Sequence, residues 1–133
     1  MKFTYNLARE MMLTKQFDWL NDEFKLAFLS ILYVPDPAHQ YLSEVPTAAI
    51  LRTSDPLTNK SAADGNAAGV PNEFLLYRNT DPVVGILIFR NTGNPATSEL
   101  CSYTDDGPAL PFVGIGFNYT VTYNAVLGGY FRA

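Results

Sequence analysis

The run Val83-Val84-Gly85-Ile86-Leu87-Ile88-Phe89 carries no polar side chain, and it constrains the fold of this chain more than any other stretch. Its residues are mostly β-branched or aromatic, Asp81-Pro82 stand before it and Asn91-Thr92-Gly93 after it. A strand with no water-tolerant face must be covered twice, so the run predicts a central strand buried on both sides. Gly85 weakens that strand unless another backbone or a bulky ring approaches it closely, which is the environment expected for it.

A chain of 133 residues fits one domain (residues 1–133), read as an N-terminal helix or arm over 1–15 and a β domain over 16–133. Hydrophobic residues make up 47%, with 9 Phe and 8 Tyr, enough for a real core. Nine basic residues are dispersed against thirteen acidic ones and the net charge is −4, which argues against direct binding to nucleic acid. With only 17% charged residues, much of the surface must be uncharged, as in proteins that live in assemblies or simply in polar Ser/Thr/Asn surfaces. The opening residues are charged where a secretory signal needs its apolar stretch, and no run reaches the roughly 18 residues of a membrane span. Cytoplasmic synthesis without membrane insertion is therefore expected.

Taken in order, residues Tyr5 to Lys15 predict the one helix, with Thr4 as N-cap and Tyr5, Ala8, Met11 and Met12 near one face, Leu7 beside them. About three turns are marginal alone, so this helix must pack on its own sheet or on a neighbouring subunit. Phe17-Asp18-Trp19-Leu20-Asn21-Asp22 reads as a turn with an aromatic anchor. Glu23 to Tyr33 reads as a strand with Phe24, Leu26 and Phe28 on one side and Glu23, Lys25 and Ala27 on the other. The proline-rich segment 34–47 predicts an ordered surface excursion with at most one helical turn, followed by a strand over Ala48–Thr53. Residues 54–72 predict loop with a weak edge strand near Lys60–Ala63. Further strands are expected at Glu73–Arg78, Val83–Arg90, Glu99–Tyr103, Ile115–Asn124 and Gly129–Arg132. In the fourth of these, Phe117, Tyr119, Val121 and Tyr123 alternate with Asn118, Thr120, Thr122 and Asn124, which predicts a core face and a wet or interfacial face. The expected fold is mainly β, a β-sandwich or partly closed barrel with one short N-terminal α-helix.

Residues that carry chemistry are few. His39 is the sole histidine and Cys101 the sole cysteine, so no internal disulfide is possible and a zinc site of the usual ligand types is disfavoured. Cys101 lies in the alternating run Glu99-Leu100-Cys101-Ser102-Tyr103 and reads as a small apolar residue. His39 is expected to pin the 34–47 excursion through its ring nitrogens rather than act as a base. Asp105-Asp106-Gly107 and Asp64-Gly65-Asn66 resemble fragments of calcium loops but lack the ligand spacing, and they read as turns. Val113-Gly114-Ile115-Gly116-Phe117 lacks the helix and Lys of a phosphate loop. No catalytic residue, metal or cofactor is assigned.

Three segments in order, Phe17-Asp18-Trp19-Leu20-Asn21-Asp22, Lys25-Leu26-Ala27-Phe28 and His39-Gln40-Tyr41-Leu42-Ser43-Glu44-Val45-Pro46, resemble a family of small tailed-bacteriophage structural proteins. Those proteins open with a short helix, a Trp-containing turn and a first strand. They then carry His-x-[Tyr/Phe]-[Leu/Met]-Ser-[Asp/Glu]-[Ile/Val]-Pro. Phe89-Arg90-Asn91-Thr92-Gly93 is similar to the family's Tyr-Lys-Asp-Thr-Gly, and Ala96-Thr97-Ser98-Glu99-Leu100 and the closing aromatic-Arg strand also correspond. The sequence departs from the family at 62–72 and at 107–114, where Leu-Pro-Val-Thr-Pro-Asn-Gly-Gly is only partly kept.

The resemblance implies a non-enzymatic virion component, first a head decoration or cement protein on the capsid surface, alternatively a neck, tail or baseplate component. A small ligand-binding β domain is the third reading. The expected partners are copies of the chain itself in a homo-oligomer, a trimer among the options, and the major capsid protein or other virion proteins. Tyr5, Leu7, Met11 and Met12 of the helix and the Thr120 and Thr122 row are the expected contacts, through mainly uncharged chemistry.

Overall fold

The computed structural model describes residues 2–58, 60–63, 66–68, 72–106, 110–121 and 131–132. Its centre is an antiparallel five-stranded sheet in the order β1-β8-β7-β2-β3, built from β1 (Lys2–Thr4), β2 (Phe24–Leu29), β3 (Ile50–Thr53), β7 (Gly85–Arg90) and β8 (Leu100–Thr104). The apolar run supplies the middle strand, β7. It pairs with β2 from Phe24↔Arg90 to Leu29↔Gly85, and with β8 on its other side. A short sheet joins β4 (Ser61–Ala63), β5 (Asn66–Ala68) and β10 (Phe131–Arg132), and a two-stranded ribbon joins β6 (Asn72–Arg78) to β9 (Ile115–Val121). The chain is thus mainly β with one helix, α1 (Asn6–Leu13).

Alternation along the central strands divides the core into two layers. Phe24, Leu26, Phe28, Ile88 and Cys101 point to one face, where Leu57, Val83 and Phe74 and Tyr77 of the ribbon close over them. Phe28 stacks on Phe74 at 3.9 Å between ring centroids and meets Tyr77 edge-on at 5.2 Å. Ala27, Leu29, Leu87, Phe89, Leu100 and Tyr103 point to the opposite face and are covered by Tyr5 and Ala8 of the N-terminal segment and Tyr33, Val45 and Ala49 of the excursion. Both faces of β2 are covered, which is why Ala27 faces a core rather than the solvent its alternation suggested, and each large apolar side chain so buried contributes about 1.5–3 kcal/mol. A bulge lets β8 serve both layers. Its register shifts between Ile88↔Ser102 and Phe89↔Leu100, so Leu100 and Tyr103 share a face although three positions separate them.

The excursion is tied down by backbone bonds. Leu100 N–H donates to the Gln40 carbonyl at 2.9 Å, Leu42 N–H to Ser98 at 2.8 Å and Ser43 N–H to Pro95 at 3.0 Å. It contains two single 3-10 turns, Leu42–Glu44 and Thr47–Ala49, so the strand expected from Ala48 begins at Ile50. The helix is shorter than expected and Thr4 is not its cap. Thr4 pairs with Ser102 in β1, an element too short to register in the sequence pattern, and Asn6 N–H donates instead to the Pro37 carbonyl at 2.9 Å. The strand expected to reach Tyr33 stops at Leu29.

The expected core face of β9 requires a correction. Phe117 is 66% exposed and Tyr119 half-buried, because Gly116 adopts φ +96 and the β6–β9 register slips near Tyr77, which breaks the period of two. Tyr123 and Asn124 lie outside the described residues.

Gly85 has the neighbour expected of it. A Cβ built there would stand 2.4 Å from the Tyr103 hydroxyl oxygen and 2.6 Å from its ring. Gly85→Val should cost about 1–3 kcal/mol by overpacking despite better strand propensity. Urea denaturation measures this, and an unchanged midpoint would mean that Tyr103 swings aside freely.

Candidate interaction surface

The two ends of the five-stranded sheet differ in chemistry. At the Arg90 end of β7, the guanidinium makes a two-point contact with Glu99, Nη2 to Oε1 at 2.7 Å and Nε to Oε2 at 2.8 Å. Arg90 also donates to the Gln16 carbonyl at 3.2 Å and to Asp22 at 3.3 Å, and lies over the Phe17 ring at 5.4 Å. The Trp19 turn beside it is closed by Asp18, whose carboxylate accepts from Leu20, Asn21 and the Asn21 side chain. These bonds hold the Asp18 carboxyl below the usual range, the Asn21 side-chain contact most of all. Trp19 donates to the Ser61 carbonyl at 2.9 Å, and Lys60 sits over the Trp19 and Phe24 rings. This end is occupied by its own contacts.

The Gly85 end is the reverse. Val84 N–H donates to the Leu29 carbonyl at 2.9 Å, and Val83 exchanges both backbone bonds with Phe112 at 2.7 and 3.1 Å. These pairings bring three loops together at one end: residues 30–34 after β2, 79–84 before β7, and 110–114 before β9. Among the described residues eight large apolar side chains are exposed, and six belong to these loops and the strand they feed: Ile31, Leu32, Val34, Val113, Ile115 and Phe117. Leu13 and Leu20 stand apart, on the helix and on the Trp19 turn. Ile31 is 80% and Val34 76% exposed. Ser30, Ile31, Leu32, Asp81, Pro82 and Val84 line an open cleft that is almost wholly apolar. Ile31 and Leu32 thus join the exposed apolar groups of this end to the cleft, and apolar surface of this kind is what partner molecules cover in other proteins.

Tyr33 anchors this loop from below. It is buried between the exposed Leu32 and Val34, and its hydroxyl meets the Tyr5 hydroxyl at 2.8 Å and His39 Nδ1 at 2.9 Å. Burial above all pushes the Tyr5 and Tyr33 hydroxyls up, and that of Tyr103 to about 12 with help from the Asp105 carboxylate. All three remain neutral donors at physiological pH.

The residues expected to make contacts are placed differently. Tyr5 is fully buried and Met11 nearly so, which corrects their assignment to an interface: the apolar stripe of the helix is spent on the chain's own sheet. Leu7 and Met12 are half-buried, and Met12 packs against both cores. Thr120 lies in β9 with its side chain outside the described residues, and Thr122 lies outside them altogether. The apolar row that replaces them was signalled by Ile31-Leu32-Tyr33-Val34, an apolar run that continues past the alternating strand straight into Pro35-Asp36-Pro37.

His39 and Cys101 are not brought together. His39 joins the tyrosines over one face of the sheet, whereas Cys101 is fully buried in the layer on the other. Asp105 stands 3.5 Å from the Tyr103 hydroxyl, while Asp64, Gly65 and Gly107 lie outside the described residues. Among the described residues no three His, Cys, Asp or Glu side chains are grouped as a metal site requires, and no helix is long and apolar enough to cross a membrane. No family model matches this sequence, and no curated protein matches it.

Burial drives the Cys101 thiol well above its ordinary range, so no thiolate is present near neutrality. The native protein should leave an aqueous thiol reagent unreacted at pH 8 and consume one equivalent once unfolded. Rapid labelling of the native form would place Cys101 at the surface.

Proposed function

We propose that this chain is a non-enzymatic structural protein of a tailed-bacteriophage virion, a capsid decoration or cement protein that sits on the outer head as an oligomer. The observation that carries the binding role is the apolar Gly85 end, where six large side chains of the converging loops and of β9 are exposed and two of them, Ile31 and Leu32, line an apolar cleft. The virion setting rests on the resemblance that runs in order from Phe17 to the closing strand. An uncharged contact surface suits a low-charge chain, and its partners are further copies of the chain, a trimer among the possible arrangements, and the major capsid protein. Among the described residues the cleft offers only Ser30 and Asp81 as polar side chains to orient a small ligand, which favours a docking surface over a ligand-binding domain.

Cryo-electron microscopy of the particle tests the place directly. Density for this chain across the head lattice supports the decoration role, and a single ring at the neck, tail or baseplate supports the alternative position. Ile31→Ser combined with Phe117→Ser should alter stability by no more than about 1 kcal/mol, since both side chains are exposed. The same pair should weaken particle binding about tenfold or more. Binding by the unaltered chain should persist in raised salt, and wild-type binding by the double variant would remove this surface from the interface.

A further inference from the structure

Tyr33, buried between the exposed Leu32 and Val34, is bonded to Tyr5 and His39, and this chain of hydrogen bonds has a direction. The Tyr5 hydroxyl is fully buried and has one partner among the described residues, the Tyr33 hydroxyl. Its proton is therefore satisfied only if Tyr5 donates to Tyr33. The Tyr33 hydroxyl, which accepts from Tyr5, gives its own proton to its other partner, His39 Nδ1, at 2.9 Å. Every donor in the chain is satisfied when His39 is neutral with Nδ1 unprotonated.

A proton on Nδ1 reverses this order. His39 would then donate to Tyr33, and because the Tyr5 and Tyr33 hydroxyls find acceptors only in each other and in His39 among the described residues, one of their protons is left without an acceptor. The alternative is that the ring leaves Tyr33. Two carboxylates flank His39 in the sequence, Asp36 and Glu44. Glu44 interacts electrostatically with His39 and is kept ionised by the Gln40 N–H and then the Tyr41 N–H. Asp36 accepts from Ala38 N–H and receives the His39 backbone N–H on its carbonyl. The remaining titratable groups around Tyr33 are Tyr103, whose ring centre is 5.9 Å away, and Asp105 beyond it, and neither replaces Nδ1 as acceptor.

We infer that His39 is a proton-operated latch: neutral, it holds Tyr33 and so presents Ile31, Leu32 and Val34 for docking, and protonated, it releases that loop. The regulatory sense of the latch rests on the binding role proposed above, whereas its mechanical part concerns the isolated chain alone. The direction follows from the donor count. The loop is held while the His39 ring is neutral and is released when the ring takes up a proton.

Hydrogen exchange on the isolated protein, corrected for intrinsic rates, reads the mechanical part. Amides of residues 31–41 should exchange about tenfold faster at pH 5.5 than at pH 7.5, while β7 amides keep their protection. In Tyr33→Phe, which has no hydroxyl to hold the ring, exchange in 31–41 should be fast at both pH values, and His39→Gln should likewise remove the pH step. Equal protection of wild-type 31–41 at both pH values overturns the latch, as does an undiminished pH step in Tyr33→Phe. Binding to the particle at the two pH values reads the regulatory part. Weaker binding at pH 5.5 in the wild type but not in His39→Gln supports it, and pH-independent binding by a loop that does open overturns it. A loop that opens in a chain that binds no particle at any pH would sink the virion reading and leave the latch standing.

Discussion

A central strand that is apolar on both faces dictates the rest of this structure, because one covering layer cannot keep it dry. Each layer has had to be assembled from modest pieces. On one side an eight-residue helix and the proline-rich excursion lie over Ala27, Leu29, Leu87 and Phe89. On the other, the two-stranded ribbon sets Phe74 and Tyr77 against Phe24, Leu26 and Phe28. None of these covers is stable alone, so each is fixed by hydrogen bonds to the sheet or to another cover. Asn6 is bonded to Pro37, Leu100 to Gln40, and Val83 to Phe112.

That arrangement explains where the apolar surplus ends up. The covers reach the sheet's Arg90 end with charged and aromatic side chains that find partners there, and they leave the Gly85 end with side chains that find none. An exposed Ile or Val taken singly needs no explanation. Six such residues in the loops that converge on one sheet end and in the strand they feed, in a chain with so little charge, offer an apolar surface on which salt and counterions have little hold.

Much of the scaffold was legible in the sequence, for identifiable reasons. Residues 83–89 show no polar period, so their strand could only be internal, and the glycine among them had to answer to a close neighbour, which is Tyr103. The Trp19 turn was legible from its Asp and Asn residues, which bond their own backbone. What escaped depended on long-range geometry. Three residues of β1 and three of β5 carry no pattern by themselves, and Gly116 turns Phe117 outward through a backbone angle that composition does not announce. An amphipathic helix presents the same stripe whether it meets its own sheet or a neighbour's, and Tyr5 and Met11 were settled only by tertiary packing. The exposed row at 31–34 was hidden because an apolar run reads as strand until the prolines beyond it pull the chain out of the sheet.

The strand order also carries a consequence for how the chain is made. β7 must enter between β2 and β8, yet its partner β2 is synthesised roughly sixty residues earlier. Throughout that interval Phe24, Leu26 and Phe28 have neither their inner strand nor the ribbon above them. The sheet therefore closes late and nearly all at once, when residues 85–104 emerge together, and the N-terminal segment can settle only after β8 has given it an edge. Until then β2 has only β3 beside it, and the edge that β7 will fill stands open.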